Sequence, residues 1–235
     1  MIKIGIIGCG FIGTALKCWI EQNNKEVQLF ISDPAKNYND DVYAENIDAY
    51  FISIHVPTLD NGKQDVKLLE DIVKKIPYGR NIWIRTTILP STLEHLRKFN
   101  TVEHMPEFLT ERTYIEDFKK QPMIFTGNVE LLKKIFPGKS YIEMTSEEAA
   151  FVKYAHNVFG ALKVTYFNCI NNVCETSNFD FEKVRKGILA SGYINADHTQ
   201  VPGPDGKLGY GGKCFPKDVD AFEQAYRYTP LGYLI

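Results

Sequence analysis

Within this 235-residue chain, the segment best suited to covalent chemistry is Gly209-Tyr210-Gly211-Gly212-Lys213-Cys214-Phe215-Pro216-Lys217-Asp218. The thiol of Cys214 stands between Lys213 and Lys217, just ahead of a helix start. Nearby cations and a helix N-terminus both favour the thiolate, which is the nucleophilic form. The competing fate is burial as an inert structural thiol, the commonest one for a cysteine outside a disulfide. Glycines on one side and charges on the other argue against deep burial, so a nucleophile is the better reading. Asp218 suits the N-cap of a final short helix.

A second chemical motif opens the chain. Gly8-Cys9-Gly10-Phe11-Ile12-Gly13 follows the β-type run 2–7 and precedes a helical stretch reaching about Asn23. In that context Gly8 allows a tight turn, Gly10 a close approach of backbone to a pyrophosphate, and Gly13 tight helix–strand packing. The helix N-terminus with Phe11 and Ile12 then offers unpaired N–H groups to phosphate oxygens. Asp33 ends the next strand, about 20 residues on, where a carboxylate accepts from a ribose diol and repels a 2′-phosphate. NAD is therefore expected in preference to NADP. The alternative is a glycine turn serving packing alone, with Asp33 a loop residue; strand, motif, helix and acid occurring together favour the dinucleotide. Cys9 is read as a small side chain that fits the turn.

The elements that must hold these groups follow from hydrophobic pattern. Strands are expected at Val27–Ser32, Ala49–Ile54, Asn81–Arg85, Thr101–His104 and Met123–Thr126, with helices at Asp65–Ile76, Ser91–Phe99 and Val129–Phe136. That alternation predicts a Rossmann-type, doubly wound parallel α/β sheet. Thr145 and Glu148 form a capping box, after which a helical pattern runs for about 30 residues through Cys174 with only Gly160 as a weak point. Asp180–Leu189 reads as a further helix. The expected division is an NAD-binding domain over 1–144 and a small all-helical domain with one long central helix over 145–235. Apolar residues of the long helix (Val152, Val158, Phe159, Leu162, Val164, Phe167, Ile170) spread widely around its axis and predict a homodimer.

Composition narrows the function classes. Hydrophobic residues make up 44%, charged residues 24%, and the net charge is −2 with both signs interspersed, so no nucleic-acid footprint is present. Lys133–Lys134 reads as a solvated helix face. The five cysteines (Cys9, Cys18, Cys169, Cys174, Cys214) form no CxxC pair and match no zinc spacing, so no metal is expected and a reducing, cytoplasmic setting is. Glycines break the N-terminal apolar run, which argues against an export signal, and no stretch approaches a membrane span.

The Cys214 segment resembles the GFGGSCFPKD signature of the UDP-glucose/GDP-mannose dehydrogenase family. Other pieces follow in the same order: His55-Val56-Pro57-Thr58 resembles the family's CVPT, Thr86-Thr87 its Ser-Thr turn, Pro106-Glu107-Phe108-Leu109 its PEFL, and Lys153-Tyr154-Ala155-His156-Asn157 the Lys-x-x-x-Asn of its long helix. The resemblance implies an NAD-dependent nucleotide-sugar 6-dehydrogenase that oxidises the C6 hydroxyl of a UDP-glucose-like substrate to a carboxylate. It further implies two hydride transfers by way of a thiohemiacetal and a thioester on Cys214. By the same resemblance, Lys153 and Asn157 lie near the reacting carbon and steady an alkoxide or oxyanion; their i, i+4 spacing puts both on one helix face. Glu107 binds substrate or acts as base in thioester hydrolysis, and Asp218 organises water or the lysine, a role compatible with capping. Thr87 contacts substrate or water and lines the cofactor site with Val56, Pro57 and Thr58. Glu111 lies near the nicotinamide, and Phe108, Leu109, Tyr210 and Gly211 touch substrate.

The chain departs from the family in places. His55 replaces a cysteine, Ser91 a customary glycine and Lys213 a serine, and Asp197-His198-Thr199 poorly matches Asp-x-Arg-Ile-Gly, so an arginine that relatives offer across a dimer is missing. The sequence stops at Ile235, as in a short form without the family's C-terminal nucleotide-binding domain. Truncation, a separate partner chain, and a smaller or differently held sugar remain open. Two other classes compete with the sugar dehydrogenase: a two-electron hydroxyacid dehydrogenase relying on Lys153, and a non-catalytic NAD-binding or dimerisation remnant.

Overall fold

The computed structural model describes residues 1–43, 46–59, 61–212 and 214–230. The chain divides into two compact units, Met1–Leu59 with Gln64–Lys153, and Asp60–Lys63 with Tyr154–Ile235.

In the first unit, β1 (Ile2–Ile7), β2 (Val27–Asp33), β3 (Tyr38–Asn39), β4 (Ala49–Ile52), β5 (Asn81–Ile84) and β6 (Val102–His104) form a six-stranded sheet in the order β3-β2-β1-β4-β5-β6. All its pairings are parallel except the antiparallel edge strand β3. A parallel sheet is covered on both faces, which is why all four residues of β4 are apolar and buried. Alternate side chains serve opposite faces. Phe51 and Trp83 stack at 5.3 Å within one core, against α1 (Phe11–Asn23), whereas Tyr50, Ile52, Ile82 and Ile84 enter the other, against α2 (Lys67–Lys75) and α3 (Pro90–Leu96). The expected doubly wound sheet is thus present.

The pairing of one strand and the presence of one helix in the first unit were not legible in the pattern. The strand expected at Met123–Thr126 forms as β7 (Met123–Phe125), yet it leaves the main sheet and pairs in parallel with β8 (Tyr141–Glu143). Two polar anchors tie this small sheet down: the Trp83 indole N–H donates to the Thr126 carbonyl at 2.9 Å, and the Thr126 hydroxyl donates to the His104 carbonyl at 2.9 Å. Helix α4 (Tyr114–Lys120) also escaped notice, because Phe118 is its one fully buried residue and leaves no apolar stripe. Helix α5 (Val129–Ile135) is capped by Asn128.

Helix α6 (Ser146–Ser177) is 32 residues long. Its capping box forms as expected: the Thr145 N–H donates to the Glu148 carboxylate at 2.8 Å, and the Glu148 N–H to the Thr145 hydroxyl at 3.3 Å. In the second unit, α7 (Phe181–Ala190) is capped by Asp180, and α8 (Phe215–Tyr226) packs Phe222 near Tyr154. Gly160 is no weak point: a Cβ there would lie 2.6 Å from the Phe215 ring, so its bareness admits that ring. The expected capping by Asp218 is corrected. Cys214 occupies the N-cap, Pro216 sets the first turn, and Asp218 falls inside that turn with its side chain turned to other partners.

Candidate active site

The glycine turn between β1 and α1 divides labour by position. Gly8 has φ +87°, and a Cβ there would lie 2.7 Å from the Ser53 carbonyl oxygen; at Gly13 a Cβ would lie 2.1 Å from the Gly8 carbonyl oxygen. Both are bare because backbone occupies the space. Gly10, the N-cap of α1, has nothing within 4 Å of its missing Cβ, so open space lies where a phosphate would approach the helix N-terminus. Asp33 ends β2 as expected, and its carboxylate accepts the Cys9 N–H at 2.7 Å. Cys9 is buried, as its fit to the turn requires. Phe11 and Ile12 are half-buried on the first turn of α1. These residues fit a dinucleotide.

Beyond the ends of β4 and β5, Val56 is buried, and Pro57 and Thr58 are half-buried. Thr87 is buried on the turn after β5. Sequence reasoning missed Gln64, whose side chain contacts that turn. A glutamine in a polar loop carries no signal of such a role.

Glu107 and Lys153 form a buried pair in the first unit. The Lys153 ammonium donates to the Glu107 carbonyl at 2.5 Å and lies 3.4 Å from its carboxylate; the other carboxylate oxygen accepts the Leu109 N–H at 2.6 Å. Phe108 lends its ring face to the same ammonium, 5.3 Å from the centroid. Glu111 is exposed on the loop before α4. Arg85 and Glu107 line one small cavity together with Phe108 and Phe118. Burial pulls the Arg85 guanidinium down to about 10, partly offset by the charge of Glu107. Burial likewise pulls His104 down to about 4, with Lys153 and Arg85 adding to the effect. Its Nε2 lies 3.0 Å from the Thr86 carbonyl. Neither Arg85 nor His104 was singled out from sequence; Arg85 closes the apolar run Ile82-Trp83-Ile84, which was an available signal, whereas His104 follows Val102-Glu103 and carried none.

In the second unit, Asn157 donates to the Asp218 carboxylate at 2.6 Å, and Lys217 pairs with its other oxygen at 2.5 Å. Asp218 and Asn157 are buried, whereas Cys214 is exposed at the N-cap of α8. The Asp218 N–H donates to the Cys214 carbonyl at 3.0 Å, so the thiol-bearing residue stands one helical turn from the Asn157 contact. Tyr210 and Gly211 are exposed, and the glycine stretch is anchored where the Gly209 N–H meets the Asn168 side chain at 3.0 Å. Lys213 lies outside the described residues. Among the described residues, no cluster of three or more His, Cys, Asp or Glu could hold a metal, and no helix is long and apolar enough to cross a membrane.

Residues 147–232, which hold Asn157, Cys214 and Asp218, match the model of the UDP-glucose/GDP-mannose dehydrogenase family, central domain. That stretch of the chain is similar to the family's central domain. The family's members are NAD-dependent oxidoreductases. A UDP-glucose 6-dehydrogenase of Rickettsia felis is 28% identical over 209 residues, covering 77% of this chain and 44% of the relative. A GDP-mannose 6-dehydrogenase of Pseudomonas aeruginosa is 29% identical over 212 residues, covering 78% of this chain and 47% of the relative. The chain therefore spans under half the length of these curated relatives. Among solved structures, a UDP-glucose dehydrogenase from the archaeon Pyrobaculum islandicum superposes with a TM-score of 0.82 at 21% identity, covering 97% of this chain and 64% of that one. At that identity the likeness speaks for the fold.

Proposed function

We propose that this dehydrogenase-family chain oxidises the C6 hydroxyl of a nucleotide sugar, UDP-glucose-like in class, to a carboxylate through covalent catalysis at Cys214. One observation carries the reading: Cys214 is exposed at a helix N-terminus, one turn from an Asp218 carboxylate fixed by Asn157.

Bound NAD supplies the hydride acceptor, twice per substrate. On this reading Asp33 receives a ribose diol and sets a negative charge against a 2′-phosphate. The first oxidation removes a hydride from C6 and the hydroxyl proton, leaving an aldehyde. A bare aldehyde has no alcohol carbon from which to lose a second hydride. Cys214 provides one: its thiolate forms a bond to the aldehyde carbon, and the carbonyl electrons move to oxygen. The Lys153 ammonium and the Asn157 amide, sharing α6 at i, i+4, are the donor types that steady such an oxyanion. Loss of the second hydride leaves a thioester. Water then attacks that carbon, the carbon–sulfur bond breaks, and sulfur departs with the electron pair as thiolate. Glu107 and Asp218 are the carboxylates available to accept the proton from water.

The same reading includes a second copy of the chain docked along α6. Phe159, Tyr166 and Val173 recur at seven-residue spacing and remain exposed, at 67%, 54% and 56%. Sedimentation at micromolar concentration gives a dimer on this reading, and a monomer removes it.

Stoichiometry tests the chemistry. Incubation with NAD and a panel of UDP- and GDP-sugars yields two NADH per sugar, and Cys214→Ser stalls near the aldehyde with one. A single NADH from the native chain, unchanged in Cys214→Ser, assigns it instead as a two-electron hydroxyacid dehydrogenase. NAD binding without turnover of any sugar makes it a non-catalytic remnant.

A further inference from the structure

Gln64, on the segment after β4, makes three hydrogen bonds to the segment after β5. Its Nε2 donates to the Thr87 carbonyl at 3.1 Å, and its Oε1 accepts the Leu89 N–H at 3.0 Å and the Thr92 hydroxyl at 3.0 Å. A single bridge pairs Gln64 with Thr58, so the Pro57–Thr58 stretch joins the same array. Helix α3 opens at Pro90 with no cap bond from the Leu89 side chain, and Gln64 supplies an acceptor there from a different loop. Only one amide orientation serves: reversed, the NH2 group would face the Leu89 N–H and the oxygen a carbonyl. β4 and β5 are neighbouring parallel strands, and ligands of open α/β sheets bind beyond the carboxyl ends of such strands.

We propose that Gln64 is a positioning residue, whose amide ties the loops after β4 and β5 together and so fixes the Thr87 turn for the cofactor. The inference rests on the role proposed above for Thr87 at the cofactor site. The Thr87 main chain has its carbonyl fixed by Gln64 on one strand exit, while Thr58 is held through the bridge on the other. Neither threonine then needs to find its place as the dinucleotide arrives. Glutamine suits the task because one side chain must both donate and accept, and a leucine of similar size does neither.

Two variants test it. Gln64→Leu removes all three bonds. Gln64→Glu keeps the acceptor for Leu89 and Thr92 but, when ionised, sets a charge against the Thr87 carbonyl; protonated at about pH 4, below the ordinary glutamate value, it donates there again. NAD affinity is measured by calorimetry, and protection of the Leu89 N–H by hydrogen exchange, each against the native chain at the same pH. Gln64→Leu weakens NAD binding about tenfold and speeds Leu89 exchange. Gln64→Glu matches it at about pH 8 and recovers toward native affinity at about pH 4, a reversal that lost packing would not produce. Native affinity in both variants overturns the proposal. Faster exchange with native NAD affinity makes the contact merely structural and overturns it equally. Should the native chain bind NAD yet oxidise no nucleotide sugar, the proposed function falls, while affinity and exchange still decide the part played by Gln64.

Discussion

Lys153 donates to the main-chain carbonyl of Glu107 at 2.5 Å while standing 3.4 Å from the carboxylate of the same residue, and both side chains are buried. One cation thus fixes both the backbone and the charge of the segment Pro106–Leu109. Breaking such a pair from one side strands the other charge. Lys153→Ala is expected to cost about 3 kcal/mol in denaturant unfolding. Glu107→Gln, whose amide keeps one acceptor oxygen where the carboxylate offered two and leaves the ammonium its main-chain carbonyl, is expected to cost less, about 2 kcal/mol. Equal costs would mean that the ammonium is solvated and the pairing weak.

The glycine turn makes a prediction in which stability and affinity separate. A Cβ at Gly13 would overlap the Gly8 carbonyl, so Gly13→Ala should lose about 2–4 kcal/mol of stability. Gly10→Ala faces open space in the protein and should fold within about 1 kcal/mol of native. It should nonetheless bind NAD at least about tenfold more weakly, since its methyl group enters the phosphate approach. Thermal melts with and without NAD check both.

Asn157→Asp would set two carboxylates against each other inside the second unit, where the amide now donates to Asp218 at 2.6 Å. Like charges at this range cannot both ionise readily. The variant should lose about 2–4 kcal/mol at pH 8 and regain much of it near pH 5, when one carboxyl holds a proton. A melting temperature independent of pH relative to native would show that the two side chains do not meet.

His104 sets an acid limit. Its folded-state value of about 4 lies below the ordinary 6.5, so between these values the unfolded chain binds a proton that the native chain does not. Native stability from this source is therefore intact above about pH 6.5 and falls as pH drops toward 4, by roughly 3 kcal/mol. His104→Gln should flatten that slope in urea titrations between about pH 4 and 6.5. An unchanged slope would assign the acid sensitivity elsewhere.

The alternation of apolar runs, the glycine turn and the Thr145–Glu148 box were readable because each depends on near neighbours along the chain. Asp218 was misplaced as a cap because its real partner, Asn157, is 61 residues away and local rules favoured the nearest helix start. Likewise β7 has the apolar pattern of a central strand, and only its pairing with Tyr141–Glu143, itself exposed, takes it out of the main sheet. Gln64, Arg85 and His104 act through groups brought together from separate strand exits. Nothing in the local composition around them encodes those meetings.

The seat of Gly8 against the Ser53 carbonyl, with the Cys9 N–H tethered to Asp33, has a thermodynamic corollary. These contacts hold the loop's backbone without any ligand, so a dinucleotide bound there as proposed would leave little chain disorder to be surrendered on capture. Affinity there should reflect contacts made rather than order imposed, and binding should be nearly rigid-body.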